Sequence, residues 1–362
     1  MRNDTGSTSV ITKVSVPPTA ETLAIDDDEV QRVFRQRGWT DGLPIVAPTP
    51  ERVEAMLAGA WFGRDDLLGV EPVKARMLTA GKVAINAVMA GCLPADFPVV
   101  ATAVTALCRP ELLIHGATAS TGGCAILLVV NGPIRHQLGM SSALSVLAGP
   151  DRASVCIGRA VRLVLRNLLD VRPGGLDRST LGHPGKLSWC VAEDEEGAHP
   201  WRPLAAERGV PEGASAVTVF AASGPRQIMN EWTTDPVEVL TTVVAEIKAT
   251  MLHYSIWAGN YAVVFPPQLR AVFHQAGWSK ADIARFVYEH AVVHRSDWEA
   301  VGKAAVVSDT NRHRQHRALP SPDDLLVVAA GGEAGGFAAV IPPWLGPKSA
   351  AVTEPIGACV DC

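Results

Sequence analysis

Five apolar runs of strand length, each closed by turn residues, set the first constraint on this chain. They are CAILLVV (124–130), SAVTVFAAS (215–223), YAVVFP (261–266), DLLVVAAGG (324–332) and FAAVIPP (337–343). None alternates apolar with polar residues, so a strand built from any of them is buried on both faces. Helical patterns lie between them. ASVCIGRAVRLVLRNLL (153–169) is amphipathic, with Arg159, Arg162 and Arg166 at three- and four-residue spacing. PVEVLTTVVAEIKATM (236–251) opens on a proline, FPVVATAVTALC (97–108) carries apolar residues throughout, and shorter helices fit 267–276 and 279–291. Further upstream, Asp26–Glu29 opens a helix, Thr49 and Pro50 start a second, and 73–91 reads as a third. LPIVAP, LLIHG and KLSWCVAE read as additional strands. The pattern predicts an α/β fold with a mixed, largely parallel sheet covered by helices. No internal repeat of 20–50 residues is visible. Residues 1–22 read as a mobile tail and 23–350 as one intertwined domain with a sub-boundary near 172–185. Residues 351–362 read as a mobile C-terminal tail.

Charge and cysteine content narrow the function. The net charge of −5 offers no bulk electrostatic case for nucleic acid or an anionic membrane. The N-terminus has no apolar leader region, and no stretch approaches the roughly 20 apolar residues of a membrane span. Seven cysteines cannot all pair internally, and Cys108 and Cys156 sit in apolar runs. Free thiols in a reducing, cytoplasmic setting are therefore expected, with no structural disulfide in the body of the chain.

Several constellations could carry chemistry. Cys359 and Cys362 form a C-x-x-C pair on the last four residues, a spacing that suits a reversible disulfide. The loop HGATASTGGC (115–124) offers Ser120, Thr121, Gly122 and Gly123 to an anion, His115 for acid–base work, and Cys124 as a thiol. The segment LGHPGKLSWCVAEDEE (181–196) carries His183, Lys186, Cys190 and four consecutive acids. Of these acids, Glu193 and Glu195 could act as a base or hold a hard metal. His290 and His294 are one helical turn apart, half of a zinc site, but no H-E-x-x-H motif is present. The glycine loop after 324–330, with Gly331, Gly332 and Gly335, sits where α/β proteins place ligands. The basic stretch NRHRQHR (311–317) has no interleaved aromatics and reads as a solvated loop.

Strings that run in order through the chain also carry a resemblance. They are INAVMAGCLPADFPVV, NGPIRHQLGM, IGRAVRLVLRNL, STLGHPGKLSWCVAEDEE, PWRPLAAERG and SAVTVFAASGP. Together they resemble bacterial proteins associated with the UGSC (seleno)protein family, over roughly residues 36–345. The Sec-Gly-Ser-Cys motif itself is absent, and TGGC at 121–124 is not its equivalent. The resemblance implies thiol-linked small-molecule chemistry, alongside a second polypeptide, and assigns no catalytic residue.

The reading that follows is an enzyme acting on a small anionic metabolite through cysteine chemistry. It would cleave or reduce a carbon–heteroatom or sulfur–heteroatom bond. Cys92, Cys124 or Cys190 would engage substrate, and the terminal pair would hand over electrons from a thiol reductant. His115 and Glu193 are the acid–base candidates, and Lys186 a substrate contact. Two alternatives stand beside it: a metal-assisted hydrolase or lyase using Glu193 and Glu195 with His115 or His183, and a non-catalytic subunit of a catalytic partner. A homo-oligomer is expected, and the residues do not say which cofactor or metal, if any, is used. One pocket should be lined jointly by 115–124, 190–196 and 331–336.

Overall fold

The computed structural model describes residues 10–254, 258–333, 335–344 and 349–357. The chain opens with a hairpin, β1 (Ile11–Ser15) and β2 (Thr22–Asp26), followed by α1 (Val30–Gln36) and α2 (Pro50–Ala58). A second hairpin, β3 (Leu67–Glu71) and β4 (Arg76–Thr79), leads into α3 (Ala80–Ala90), α4 (Phe97–Leu107) and α5 (Ile114–Ala119). Next come β5 (Ala125–Asn131), α6 (Ile134–Gln137), α7 (Arg152–Leu168), β6 (Cys190–Ala192), α8 (Leu204–Glu207), β7 (Ala216–Ala222) and β8 (Arg226–Met229). The remainder is α9 (Pro236–His253), β9 (Tyr261–Phe265), α10 (Pro267–Gln275), α11 (Lys280–His290), β10 (Val292–His294), β11 (Gln315–Arg317), β12 (Leu325–Ala329), β13 (Phe337–Ile341) and β14 (Val352–Pro355). Local chemistry explains several helix starts. The side chains of Thr49, Asp151 and Ser279 accept from the first-turn N–H groups of α2, α7 and α11.

Two four-stranded sheets form the centre, ordered β14-β7-β5-β6 and β12-β9-β13-β8. Alternation along each strand decides which layer a side chain joins. Ala125, Leu127 and Val129 of β5 share one core with Ala262 and Val264 of β9 and Leu326 and Val328 of β12. Ile126, Leu128 and Val130 face the opposite way, into the core built with α3, α4 and α7. Tyr261, Val263 and Phe265 pack against α9, α10 and α11. The molecule is thus layered helix, sheet, sheet, helix. Apart from Phe337 at the start of β13, the apolar runs are buried on both faces because a helix layer covers one side and the other sheet covers the other.

The α/β class and the mixed sheets agree with the sequence reading. The parallel share is smaller than the apolar runs implied: β5 with β6 and β9 with β12 are parallel, and the other ladders of these sheets are antiparallel. Burial on both faces comes from stacking two sheets and so does not depend on strand direction.

The sheets have the same internal plan. In each, a strand is joined by a crossover to a parallel neighbour, and the next strand pairs antiparallel on the other side: β5, β6, β7 in one and β9, β12, β13 in the other. The strand that follows leaves for the opposite sheet. β8 pairs with β13, and β14 pairs with β7. The two halves therefore exchange edge strands, a relation that no sequence period announces.

Several expectations are corrected. Residues 11–26 form a hairpin with Val14 buried, so much of the proposed N-terminal tail is ordered. Val352–Pro355 is a sheet strand, so the proposed C-terminal tail begins later than 351. LLIHG leads into helix α5, whose Ile114, Ala117 and Thr118 turn inward at helical spacing. The 73–91 pattern divides into strand β4 and helix α3 at Thr79. LPIVAP forms no strand, since Pro44 and Pro48 have no N–H to donate. His290 ends α11 stacked on Phe286, and His294 lies in β10, so the two do not share a helix face. Among the described residues, no single helix is long and apolar enough to cross a membrane.

Candidate functional site

The strand exchange builds a cleft. β7 ends at Ala222, and Ser223–Pro225 carry the chain across to β8. The segment after β13 crosses beside it in the opposite sense. Ser223 N–H donates to the Pro342 carbonyl at 2.9 Å, and Trp344 N–H donates to the Ala221 carbonyl at 2.8 Å. Three further pieces converge on this crossing: the loop Thr121–Gly123 ahead of β5, the loop Thr180–His183, and Tyr254 at the end of α9. They enclose an open cleft of about 470 Å³. Two glycines make the convergence possible. A Cβ on Gly122 would lie 2.8 Å from the Tyr254 hydroxyl. Gly123 has φ +72°, and its Cβ would lie 2.7 Å from the Gly182 nitrogen.

The lining is rich in donors. Hydroxyls come from Thr121, Thr180, Ser223 and Tyr254, a guanidinium comes from Arg226, and no carboxylate lines the cleft among the described residues. Tyr254 donates to the Gly122 carbonyl at 2.9 Å, and burial raises its pKa, so the phenol keeps its proton. Ser223 Oγ is buried beside the Tyr254 hydroxyl, where it offsets part of that upward shift. Arg226 stands 3.4 Å from Glu246 and is half-exposed. His183 is held by backbone on both ring nitrogens, Nδ1 accepting from Gly185 N–H at 3.2 Å and Nε2 lying 3.3 Å from the Ala222 carbonyl. It also meets Trp189 edge-on, with ring centroids 5.2 Å apart. Burial lowers its pKa, so the ring is neutral at pH 7 and shapes the wall.

Beneath the cleft lies a buried ion pair. Lys186 Nζ is 2.7 Å and 2.8 Å from the two Asp177 oxygens and 2.6 Å from Ser179 Oγ. Arg162 adds a second cation 3.5 Å from Asp177. Burial alone would raise the Asp177 carboxyl, but hydrogen bonds from Lys186 and Ser179 outweigh it and lower the pKa. Cys124 shares a cavity of about 30 Å³ with Arg162 and Lys186. Its Sγ is 3.1 Å from the Ala117 carbonyl. Burial pushes this thiol up to about 12, the nearby Lys186 offsetting only part of the shift. The resting group is therefore the protonated thiol. Iodoacetamide labelling of Cys124 should be slow at pH 7.5 and should accelerate about tenfold per pH unit up to pH 10. Mass-spectrometric readout showing fast, pH-independent labelling would contradict this.

No family model matches this chain, and no curated protein does. The candidate site rests on its own geometry.

The structure brings some of the residues singled out from the sequence together and separates others. Thr121, Gly122, Gly123 and His183 line the cleft, and Lys186 and Cys124 lie under it. Ser120 Oγ accepts from Gly122 N–H at 3.0 Å and fixes the turn. Cys190 and Cys92 are buried in the helix-side core, where burial raises both thiols. His115 lies elsewhere, 4.0 Å from Glu71. Glu193 and Glu195 follow the C-terminal end of β6, the opposite end of the sheets from the cleft. Gly331 and Gly332 line a separate cleft of about 350 Å³. Gly335, with φ +89°, turns the chain before β13. The single pocket expected from 115–124, 190–196 and 331–336 is thus divided. Cys359 and Cys362 fall outside the described residues.

The acidic run after β6 is neither a solvated turn nor an open ligand set. Glu193 is fully buried and accepts from Asn131 Nδ2 (2.6 Å), Leu204 N (2.7 Å), Lys280 Nζ (2.8 Å) and Ala329 N (3.2 Å). Asp194 binds Arg270, and Glu195 accepts from Gly132 N at 2.6 Å and lies 3.1 Å from Arg135. Glu196 meets Arg135 and His136, and the hydrogen bond from Arg135 leads in holding its carboxyl down at about 2. The run clamps α6, α10 and α11 to both sheets.

Asp177, Ser179, Ser223, Arg226 and Tyr254 belong to the site without any motif that marks them in the sequence. The one signal present is Gly224-Pro225-Arg226 directly after an apolar strand run, a turn that carries a cation.

Proposed function

We propose that the chain is a small-molecule enzyme whose substrate bears a carboxylate or phosphate held in the cleft at the strand crossing. The observation that carries this reading is the lining: Arg226, the hydroxyls of Thr121, Thr180, Ser223 and Tyr254, and no carboxylate among the described residues. Such a donor set matches an anion with several acceptor oxygens. Cys124, one layer below, supports a thiol step on the bound substrate, in keeping with the resemblance to UGSC-associated proteins. Its high pKa requires that substrate binding or a rearranged Lys186 deliver the thiolate. The metal-assisted reading draws less support, because Glu193 and Glu195 are already engaged by Lys280, Arg135 and backbone N–H groups.

Calorimetric titration with a panel of small mono- and dicarboxylates and phosphate monoesters tests the binding half. At least one member should bind, and Arg226→Ala should weaken it roughly 10- to 100-fold, the loss expected of a charged hydrogen bond. Cys124→Ala should leave that affinity within about twofold while abolishing turnover. A panel without binders, or binding indifferent to both Arg226→Ala and Ser223→Ala, would remove the cleft from consideration.

A further inference from the structure

The exchanged strands β8 and β14 hold equivalent places in the fold, yet they are covered differently. β14 is half-buried at all four positions, and its flank is held by Arg208, hydrogen-bonded to Thr353 and the Ala351 carbonyl, and by Arg109, paired with Glu354. β8 is exposed at Arg226, Gln227 and Met229. It is the last strand of its sheet, and among the described residues no strand pairs with its free edge. The fold covers one equivalent edge and leaves the other bare.

The direction of the free hydrogen-bonding groups follows from the ladder. Asn230 N–H donates to Gly336, across from β8 on the β13 side. Backbone groups alternate sides along a strand, so Ile228 also points toward β13, while the N–H and C=O of Gln227 and Met229 point outward. Apolar side chains crowd the same region. Met229 pairs with Phe337, which is 41% exposed, Trp232 is 73% exposed, and Leu144, over Gly332, is 72% exposed. Large apolar groups this exposed around an open strand mark an interaction surface.

We propose that this edge is the contact between two copies of the chain, β8 pairing antiparallel with β8 of the second copy about a twofold axis near Ile228. Charge favours a copy of itself. Arg226 stands at one end of β8, while Glu231, Asp235 and Glu238 follow the other end, so antiparallel pairing sets each basic end against the partner's acidic one. A stable dimer buries about 800 Å² per partner. Four strand residues do not reach that alone, and Met229, Trp232, Phe337 and Leu144 supply the apolar remainder. The interface shares Arg226 with the ligand cleft, but its test reads the oligomeric state and does not depend on ligand binding.

Sedimentation velocity on the full chain over a concentration series should show a dimer. Met229→Pro deletes an outward N–H without touching the β8–β13 ladder and should raise the dimer dissociation constant at least ~tenfold, with an unchanged far-UV circular dichroism spectrum. Met229→Lys, which charges the edge while keeping the backbone intact, should do the same. A monomer at every concentration, or a dimer indifferent to Met229→Lys, overturns the proposal. An assembly lost with Met229→Pro but retained with Met229→Lys, where the proline variant has also lost secondary structure, overturns it as well.

Discussion

Lys280→Met should lower the unfolding free energy by about 3–5 kcal/mol, the usual penalty for stranding one member of a buried ion pair. Lys280 is 3% exposed and Glu193 0%, with Nζ and Oε1 2.8 Å apart. Removing the ammonium leaves a carboxylate in the core with Asn131, Leu204 and Ala329 as its remaining donors. Those donors are the reason the pair is not freely exchangeable for apolar residues. Deleting Glu193 as well would orphan two backbone N–H groups, so a neutral acceptor must remain. The double variant Lys280→Met/Glu193→Gln should therefore be more stable than Lys280→Met alone. Urea denaturation at pH 7 reads both numbers. A single variant within about 1 kcal/mol of the native protein would show that the clamp contributes little.

Gly158→Val should be nearly as damaging, at about 2–3 kcal/mol, and should also disturb the cleft. Gly158 lies mid-way along α7, where the helix presses on the segment entering β6. An added Cβ would sit 2.4 Å from Ser188 Oγ and 2.6 Å from the Trp189 nitrogen. Both neighbours are anchored. Ser188 donates to the Val155 carbonyl, and Trp189 is 3% exposed and packs on His183. The strain must then pass to the Thr180–Lys186 loop, which forms the cleft wall and its buried ion pair. Thermal unfolding together with ligand titration checks this. A variant with native stability and native affinity would mean the loop is more compliant than its contacts indicate.

Much of the fold is legible in the sequence because burial on both faces leaves a plain mark there. AILLVVN, AVTVFAA, YAVVF and LLVVA are strands within a residue or two of their apolar limits. α7 and α9 are equally plain, one from its arginine spacing and the other from Pro236. The ends of the chain are hard to read for an opposite reason. VTEP is polar and ends in proline, and it is a strand only because β7, more than a hundred residues earlier, offers it an edge. The same holds for the site. Loop 121–123 and Lys186 are visible as residue types, but Tyr254 and Arg226 reach them only through the strand exchange. Glu193 misleads because an acidic run looks alike whether it faces solvent, a metal, or three buried cations. Only the positions of Lys280, Arg270 and Arg135 distinguish these cases.

The reciprocal exchange of β8 and β14 also bears on how the molecule is made. A chain emerging from the ribosome presents β5, β6 and β7 together, yet the fourth strand of that sheet, residues 352–355, follows only after β8 to β13 have been made. β7 must wait with an unpaired apolar edge while about 130 residues are added. The second sheet closes when β13 pairs with β9 and β8, the first only afterwards with β14, and a nascent chain halted between Ala222 and Val352 holds an open template for its neighbours on the same message.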